Sequence, residues 1–209
     1  MSDPNTTHRI ADLETLQAVY GHPSIASIKK EVDYIHPHYR KLVEASPFAV
    51  LATHGPDGPD ASPRGDPAGF IRVCDEKTIL LPDRRGNNRL DSLRNIIHDP
   101  RVALLFLIPG VGETLRINGV AEISTDPVLL EQFSLKGKLP SSVLIIKVKK
   151  VFFQCSRAVL RSRLWDSTLH VERSSLPSVG AMLETLSNAE IDGAKYDSDL
   201  PERIQKTMY

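Results

Sequence analysis

The sequence predicts a mainly β, α+β domain: an antiparallel sheet or barrel with peripheral helices. Short apolar runs of strand length recur between residues 48 and 153, and most are joined by connections too short for a parallel crossover. Thr114 to Ile123 alternates strictly, with Leu115, Ile117, Gly119, Ala121 and Ile123 on one face and Thr114, Arg116, Asn118, Val120 and Glu122 on the other. The regular alternation of strands and crossover helices that marks a doubly wound nucleotide fold is missing.

The elements follow in order. Leu13, Leu16, Val19 and Tyr20 have helical spacing that Gly21 and Pro23 end, and a second short helix is expected over Pro37 to Ala45. Phe48 to Thr53 reads as a strand, and Gly55-Pro-Asp-Gly58 turns it into a second arm from Asp60 to Arg64. In that arm Asp60, Ser62 and Arg64 share a face, and Pro63 argues for an edge or irregular strand. Gly69 to Val73 and Lys77 to Leu81 are further short strands.

Asn88 and Asp91 have the relative positions of a helix cap and an acidic third residue. This predicts a helix with Arg89 in its first turn and Leu90, Leu93 and Ile97 on its apolar face. Val102 to Ile108 is a buried strand. Pro127 to Phe133 is a short helix, and Val143 to Phe153 is a long, bent strand with Lys147 and Lys149 on one face and Lys150 on the other. Val179 to Leu186 forms an amphipathic helix, and Glu190 to Tyr209 is polar enough to stay partly mobile or to lie across a partner subunit.

This gives an N-terminal helical arm over 1–44, a central β domain over 45–165 and a helical or partly flexible extension over 166–209. The 209 residues suffice for one substantial core. Twenty-six basic and 26 acidic residues cancel, which argues against nucleic acid as a partner. Met1 to Arg9 lacks the apolar segment of a signal peptide and no run approaches a membrane span, so a cytoplasmic protein is expected. Cys74 and Cys155 match no metal-ligand or redox spacing and read as reduced core or near-core residues. His98 and the His36/His38 pair suit capping, packing or surface roles, and no metal site is expected.

Two segments carry the chemistry: Ser62-Pro-Arg64-Gly-Asp-Pro-Ala-Gly69 and Asp83-Arg-Arg-Gly-Asn-Asn-Arg89. Ser62 and Arg64 on one strand face, with Arg89 at a helix start, suit a phosphomonoester bound by arginine and the helix terminus. The competing reading pairs Asp66 and Asp83 with neighbouring arginines as ordinary ion pairs. Arg116 either lines a cofactor cleft or faces solvent. Thr114 is a strand former with a hydroxyl to offer. Trp165 either packs beside a ring system or belongs to the core or a dimer interface.

Thr53, Asp60 to Phe70, Pro82 to Asn95, Leu115-Arg-Ile-Asn-Gly119, Cys155-Ser-Arg157 and Arg161-Ser-Arg-Leu-Trp165 together resemble the predicted flavin-nucleotide-binding branch related to pyridoxamine 5'-phosphate oxidase. The resemblance runs from about Ala45 to Trp165. It implies a split β-barrel whose two-fold homodimer holds flavin mononucleotide (FMN) at the subunit interface. Ser62 and Arg64 would sit beside the phosphate or ribityl chain, with Asn88 and Arg89 at the phosphate. Thr114 and Arg116 would lie near the flavin-bearing face, and Trp165 would approach the ring from the partner chain.

Arg161-Ser-Arg-Leu-Trp165 lacks the histidine that follows the arginine in oxidases of pyridoxamine phosphate, so flavin binding transfers more readily than that substrate. The resemblance implies an FMN-dependent oxidoreductase exchanging hydride or electrons with a small-molecule donor or acceptor, with no side chain singled out as catalytic. A flavin-binding sensor, storage or redox accessory protein is the alternative. A barrel binding F420 or haem is the lesser one.

Overall fold

In a computed structural model, residues 8–208 are described; the start of the expected N-terminal arm and Tyr209, at the end of the expected extension, lie outside them. Internal contacts divide the chain into two units, Met1–Glu31 and Val32–Tyr209. The first holds α1 (Leu13–Tyr20) and α2 (Ile25–Lys29). Asp12 caps α1 through the Thr15 amide, Ser24 caps α2 through that of Ser27, and neither helix has a buried residue.

The second unit is built on a seven-stranded sheet in the order β2-β1-β5-β6-β7-β4-β3, antiparallel at every pairing. Its strands are β1 (Phe48–Gly55), β2 (Gly58–Gly65), β3 (Arg72–Asp75), β4 (Thr78–Asp83), β5 (Arg101–Leu107), β6 (Thr114–Ser124) and β7 (Ser142–Gln154). The helices are α3 (Pro37–Ala45), α4 (Asp91–His98), α5 (Pro127–Gln132), α6 (Arg157–Ser162), α7 (Val179–Leu186) and α8 (Gly193–Met208). The chain is an α+β protein with the split-barrel architecture, in which β2 and β3 are the two edges.

Alternation drives the packing. Ala49 and Leu51 of β1, Val102, Leu104 and Phe106 of β5, and Leu115, Ile117 and Ala121 of β6 enter one core with Ile79, Leu81, Leu144 and Ile146. On the opposite side of β4 and β7, Leu80 and Val143 form a second cluster with Phe133 and, from α5, Leu129 and Leu130. That covering of both faces explains why Thr78 to Pro82 is buried without interruption. Gly119 is required where β6 meets β7, because a Cβ there would stand 2.5 Å from the Lys147 carbonyl oxygen.

The long strand β7 is bent by a bulge. Asn118 pairs with Lys150 and Gly119 with Val148, so Lys149 is an extra residue. Val148 and Val151, three apart, are therefore both buried, while Lys147 and Lys149 face outward. Pro63 lies on β2, an edge strand as its ring requires, and Asp60, Ser62 and Arg64 share the more buried face of that strand.

Several expectations need correction. The strand expected over Gly69 to Val73 runs from Arg72 to Asp75, because Phe70 donates back to Pro67 in a turn and Gly69 adopts φ +85°. Asn88 is not a helix cap. It has φ 60°, and the Asn87 side chain accepts from the Arg89 amide, so the chain turns once more and enters α4 only at Asp91.

The start at Asp91 places Ser92 and Ile96, with Leu93, against the sheet; Leu90 and Ile97 stay 44% and 74% exposed. Both cysteines are exposed rather than in or near the core. The polar C-terminal segment is a continuous helix, α8, packed on α7. The pairing depends on two glycines, since a Cβ on Gly180 would lie 2.0 Å from the Gly193 carbonyl oxygen.

Candidate functional site

The edge of the β1–β2 hairpin, the end of β4 and the start of α4 enclose a cleft of about 900 Å³. That volume lies in the range of small-molecule sites, roughly 300–1,000 Å³. Ser62, Arg64, Asn88 and Arg89, four of the residues singled out from the sequence, all line it. Arg64 comes from the half-buried face of β2, where Ala49 of β1 is its register partner. Asn88 and Arg89 come from the turn before α4.

A polar network fixes α4 over the hairpin. Ser92 donates to Asp60 at 2.6 Å and its Oγ lies 2.9 Å from that of Ser62. Asn95 Nδ2 donates to Thr53 Oγ1 at 3.2 Å. Asn95 packs so close to Gly55 that a Cβ there would meet its Oδ1 at 2.0 Å. Asp60, Thr53 and Ser92 thus act through the helix position, and the N-terminus of α4 opens on the cleft with no side-chain cap. Its unpaired amides favour an anionic group.

The charges are uneven. Arg64, Arg84, Arg85, Arg89 and Arg94 line the cleft against Asp60, Asp83 and Asp91, and with Asp66 paired to Arg84 just outside the lining the arginines keep an excess of one positive charge. The ion pairs read as the competing explanation do form. Arg64 Nη1 meets Asp83 at 2.5 Å, and Arg84 meets Asp66 at 2.8 Å while also donating to the Phe133 carbonyl. The first pair is 17% and 13% exposed, and the Asp66 side chain 1%. Arg89 is paired with Asp91 but 78% exposed.

Pairing leaves some capacity unused. Arg64 Nε is buried with no partner, as is Ser142 Oγ, and both residues line the cleft. Leu90 and Ile97, exposed apolar side chains of the α4 region, supply part of an apolar wall. Arg84, Arg94, Ser92 and Ser142 were not singled out from the sequence. Arg84 and Arg94 sit within the segment that carries the resemblance, whereas Ser142 is visible only once β7 is paired with β4.

Thr114, Arg116 and Trp165 lie elsewhere in the chain. Thr114 and Arg116 belong to the opposite, outer face of the sheet, half-buried, with Arg116 stacked 5.1 Å from the Phe152 ring centroid. Trp165 is 36% exposed and donates from Nε1 to the Val111 carbonyl at 2.8 Å, so it is not a core aromatic. The outer face also carries Phe48, Val50, Ala52, Leu105 and Leu107 without burying them.

A second hollow, about 500 Å³, lies on that face between His54, Arg101, Asn118 and Lys149, and contains the unpartnered Asn118 Oδ1. There the Arg101 guanidinium holds Asp99 down at about 2. Desolvation, with Asp75 alongside, pushes the Cys74 thiol up, which disfavours a thiolate nucleophile. His36 caps α3 through the His38 amide, and among the described residues no cluster of histidine, cysteine and carboxylate could hold a metal.

The chain is thus an antiparallel split barrel with an arginine-lined cleft at a hairpin edge. The family model described as pyridoxamine 5'-phosphate oxidase matches residues 35–155, and the chain belongs to that family. Its resemblances among solved structures include HupZ of Group A Streptococcus, at 24% identity, covering 58% of this chain and 95% of that one, with a TM-score of 0.47. General stress protein 26 of Bacillus anthracis matches at 18% identity over 54% of this chain and 88% of its own, with a TM-score of 0.41. The FAD binding protein of Mycobacterium smegmatis matches at 13% identity over 59% and 97%, with a TM-score of 0.40. No curated protein matches the sequence. Among the described residues no helix is long and apolar enough to cross a membrane.

Proposed function

We propose that the chain is an FMN-binding flavoprotein of the cytoplasm, acting as an oxidoreductase on a small molecule. The observation that carries this reading is the convergence of Ser62, Arg64, Asn88 and Arg89 on one cleft in which arginines outnumber carboxylates. A phosphomonoester at neutral pH, carrying about −1.5 to −2 charge, complements that excess. Arg64, Arg85 and Arg89 would hold the phosphate with the open amides of α4, and Ser62 would reach the ribityl hydroxyls. Leu90 and Ile97 would lie along apolar parts of the ring. Bound flavin would supply hydride or electron transfer, while the chain orients it and limits its access to water.

The reading includes a homodimer formed through the outer face of β1, β5, β6 and β7. Val50, Leu105 and Phe152 form a row there around Arg116, and each is only half-buried in one chain. Covering this row would remove apolar surface from water and give Thr114 and Arg116 a place at the subunit boundary. Domain limits of 45–165 for the barrel, with the helical regions as appendages, belong to the same proposal.

The ultraviolet-visible spectrum of purified protein, with mass identification of the released small molecule, tests the cofactor. Flavin bands and the mass of FMN are expected. A colourless protein that also fails to take up added FMN would overturn the assignment.

A further inference from the structure

Ser142 opens β7 with only 5% of its surface exposed, yet its hydroxyl has no hydrogen-bond partner. A buried polar group left unpaired is a net loss to the folded chain, so its persistence points to an absent acceptor or donor. Ser142 stands directly opposite Asp83 in the β4–β7 ladder, which puts both side chains on one face at a Cβ separation of about 5 Å. Asp83 in turn holds Arg64 through Nη1, and the Arg64 Nε is the second buried atom here with no partner. Two vacant donors therefore flank one carboxylate, and both residues line the cleft.

Nε can only donate, and a serine hydroxyl can donate beside it, so the pair fits an oxygen acceptor. The excess of arginine along the cleft and the uncapped α4 terminus favour an oxygen that carries negative charge. We propose that Ser142 Oγ and Arg64 Nε form a subsite for one phosphoryl oxygen of a phosphomonoester. Asp83 is its positioning residue: by occupying Nη1 it leaves the Nε edge of the guanidinium open. That the phosphomonoester is FMN rests on the function proposed above; the vacant donor pair belongs to this chain whatever the ligand.

The test titrates the full chain calorimetrically with FMN, riboflavin and inorganic phosphate. Ser142→Ala is expected to weaken FMN about tenfold, as loss of one hydrogen bond to a charged oxygen implies, and to leave riboflavin unchanged. Ser142→Thr should restore most of the loss. The ligand-free Ser142→Ala protein should melt no lower than the parent, because the substitution deletes an unsatisfied hydroxyl.

Unchanged FMN affinity in Ser142→Ala overturns the subsite, and so does a lower melting temperature of the ligand-free variant. Equal weakening of FMN and riboflavin overturns its phosphoryl specificity. If the parent binds phosphate but neither flavin, and Ser142→Ala weakens phosphate, the flavin reading fails while the subsite stands. A parent that binds none of the three overturns both.

Discussion

Deleting the Asp83 carboxylate should be costly even though the residue lines the arginine-rich cleft. Its partner, the Arg64 guanidinium, is 17% exposed and already lacks a partner at Nε. Removing one member of a buried ion pair costs about 3–5 kcal/mol, because the other charge is left without compensation. The water that reaches the 13–17% of each side chain still exposed lowers the expectation for Asp83→Ala to about 2–3 kcal/mol. That is a large share of a typical stability of about 5–15 kcal/mol.

The origin of the cost can be isolated with a cycle. Arg64→Leu combined with Asp83→Leu removes both charges, so the double variant should be more stable than Asp83→Ala alone. A coupling energy of about 1–2 kcal/mol should separate the double from the sum of its singles. Urea unfolding followed by circular dichroism and tryptophan fluorescence measures each species, with coincident transitions required. If Asp83→Ala lies within about 0.5 kcal/mol of the parent, or the singles add, the pair is screened like a surface salt bridge and the reasoning fails.

Two further outcomes follow from packing. Gly55→Ala drives a Cβ into Asn95, which must give up its bond to Thr53 and shift α4; a loss of about 2–4 kcal/mol is expected in the same unfolding assay, and a change under 0.5 kcal/mol would show that α4 is not seated on the hairpin. Leu105→Asp places a charge in the middle of the outer apolar row, so on the proposed dimer sedimentation should report a shift from dimer to monomer; an unchanged dimer would put the interface elsewhere.

Much of the sheet was legible because its alternation is decided locally. Each of Leu115, Ile117, Gly119 and Ala121 faces the core as the period of two requires, and Pro63 announced an edge that the strand order contains. The beginning of α4 was less legible. Asn88 and Asp91 have the spacing of a cap, but Asn also tolerates φ 60°, and the competing turn through Asn87 took the position instead.

Ser142 was invisible for a different reason. Nothing in Leu139-Pro-Ser-Ser142 marks a binding residue, and its relation to Arg64, 78 residues earlier, exists only through the pairing of β4 with β7. The exposed cysteines show the same limit, since a free thiol's frequent burial is a tendency that local sequence does not enforce.

The extra residue at Lys149 has a consequence for how this barrel tolerates change in length. A strand that alternates strictly has a parity: adding or removing one residue exchanges every inward side chain with an outward one beyond that point. The bulge reverses parity once, so that Val148 and Val151 both enter the core although their positions are an odd step of three apart. Deleting Lys149 would remove the bulge yet leave Val148 and Val151 two apart and both inward, with Lys150 and Phe152, which stacks on Arg116, still outward. The bulge absorbs one exposed lysine, so the two halves of a 13-residue strand turn the same face inward in spite of the added residue.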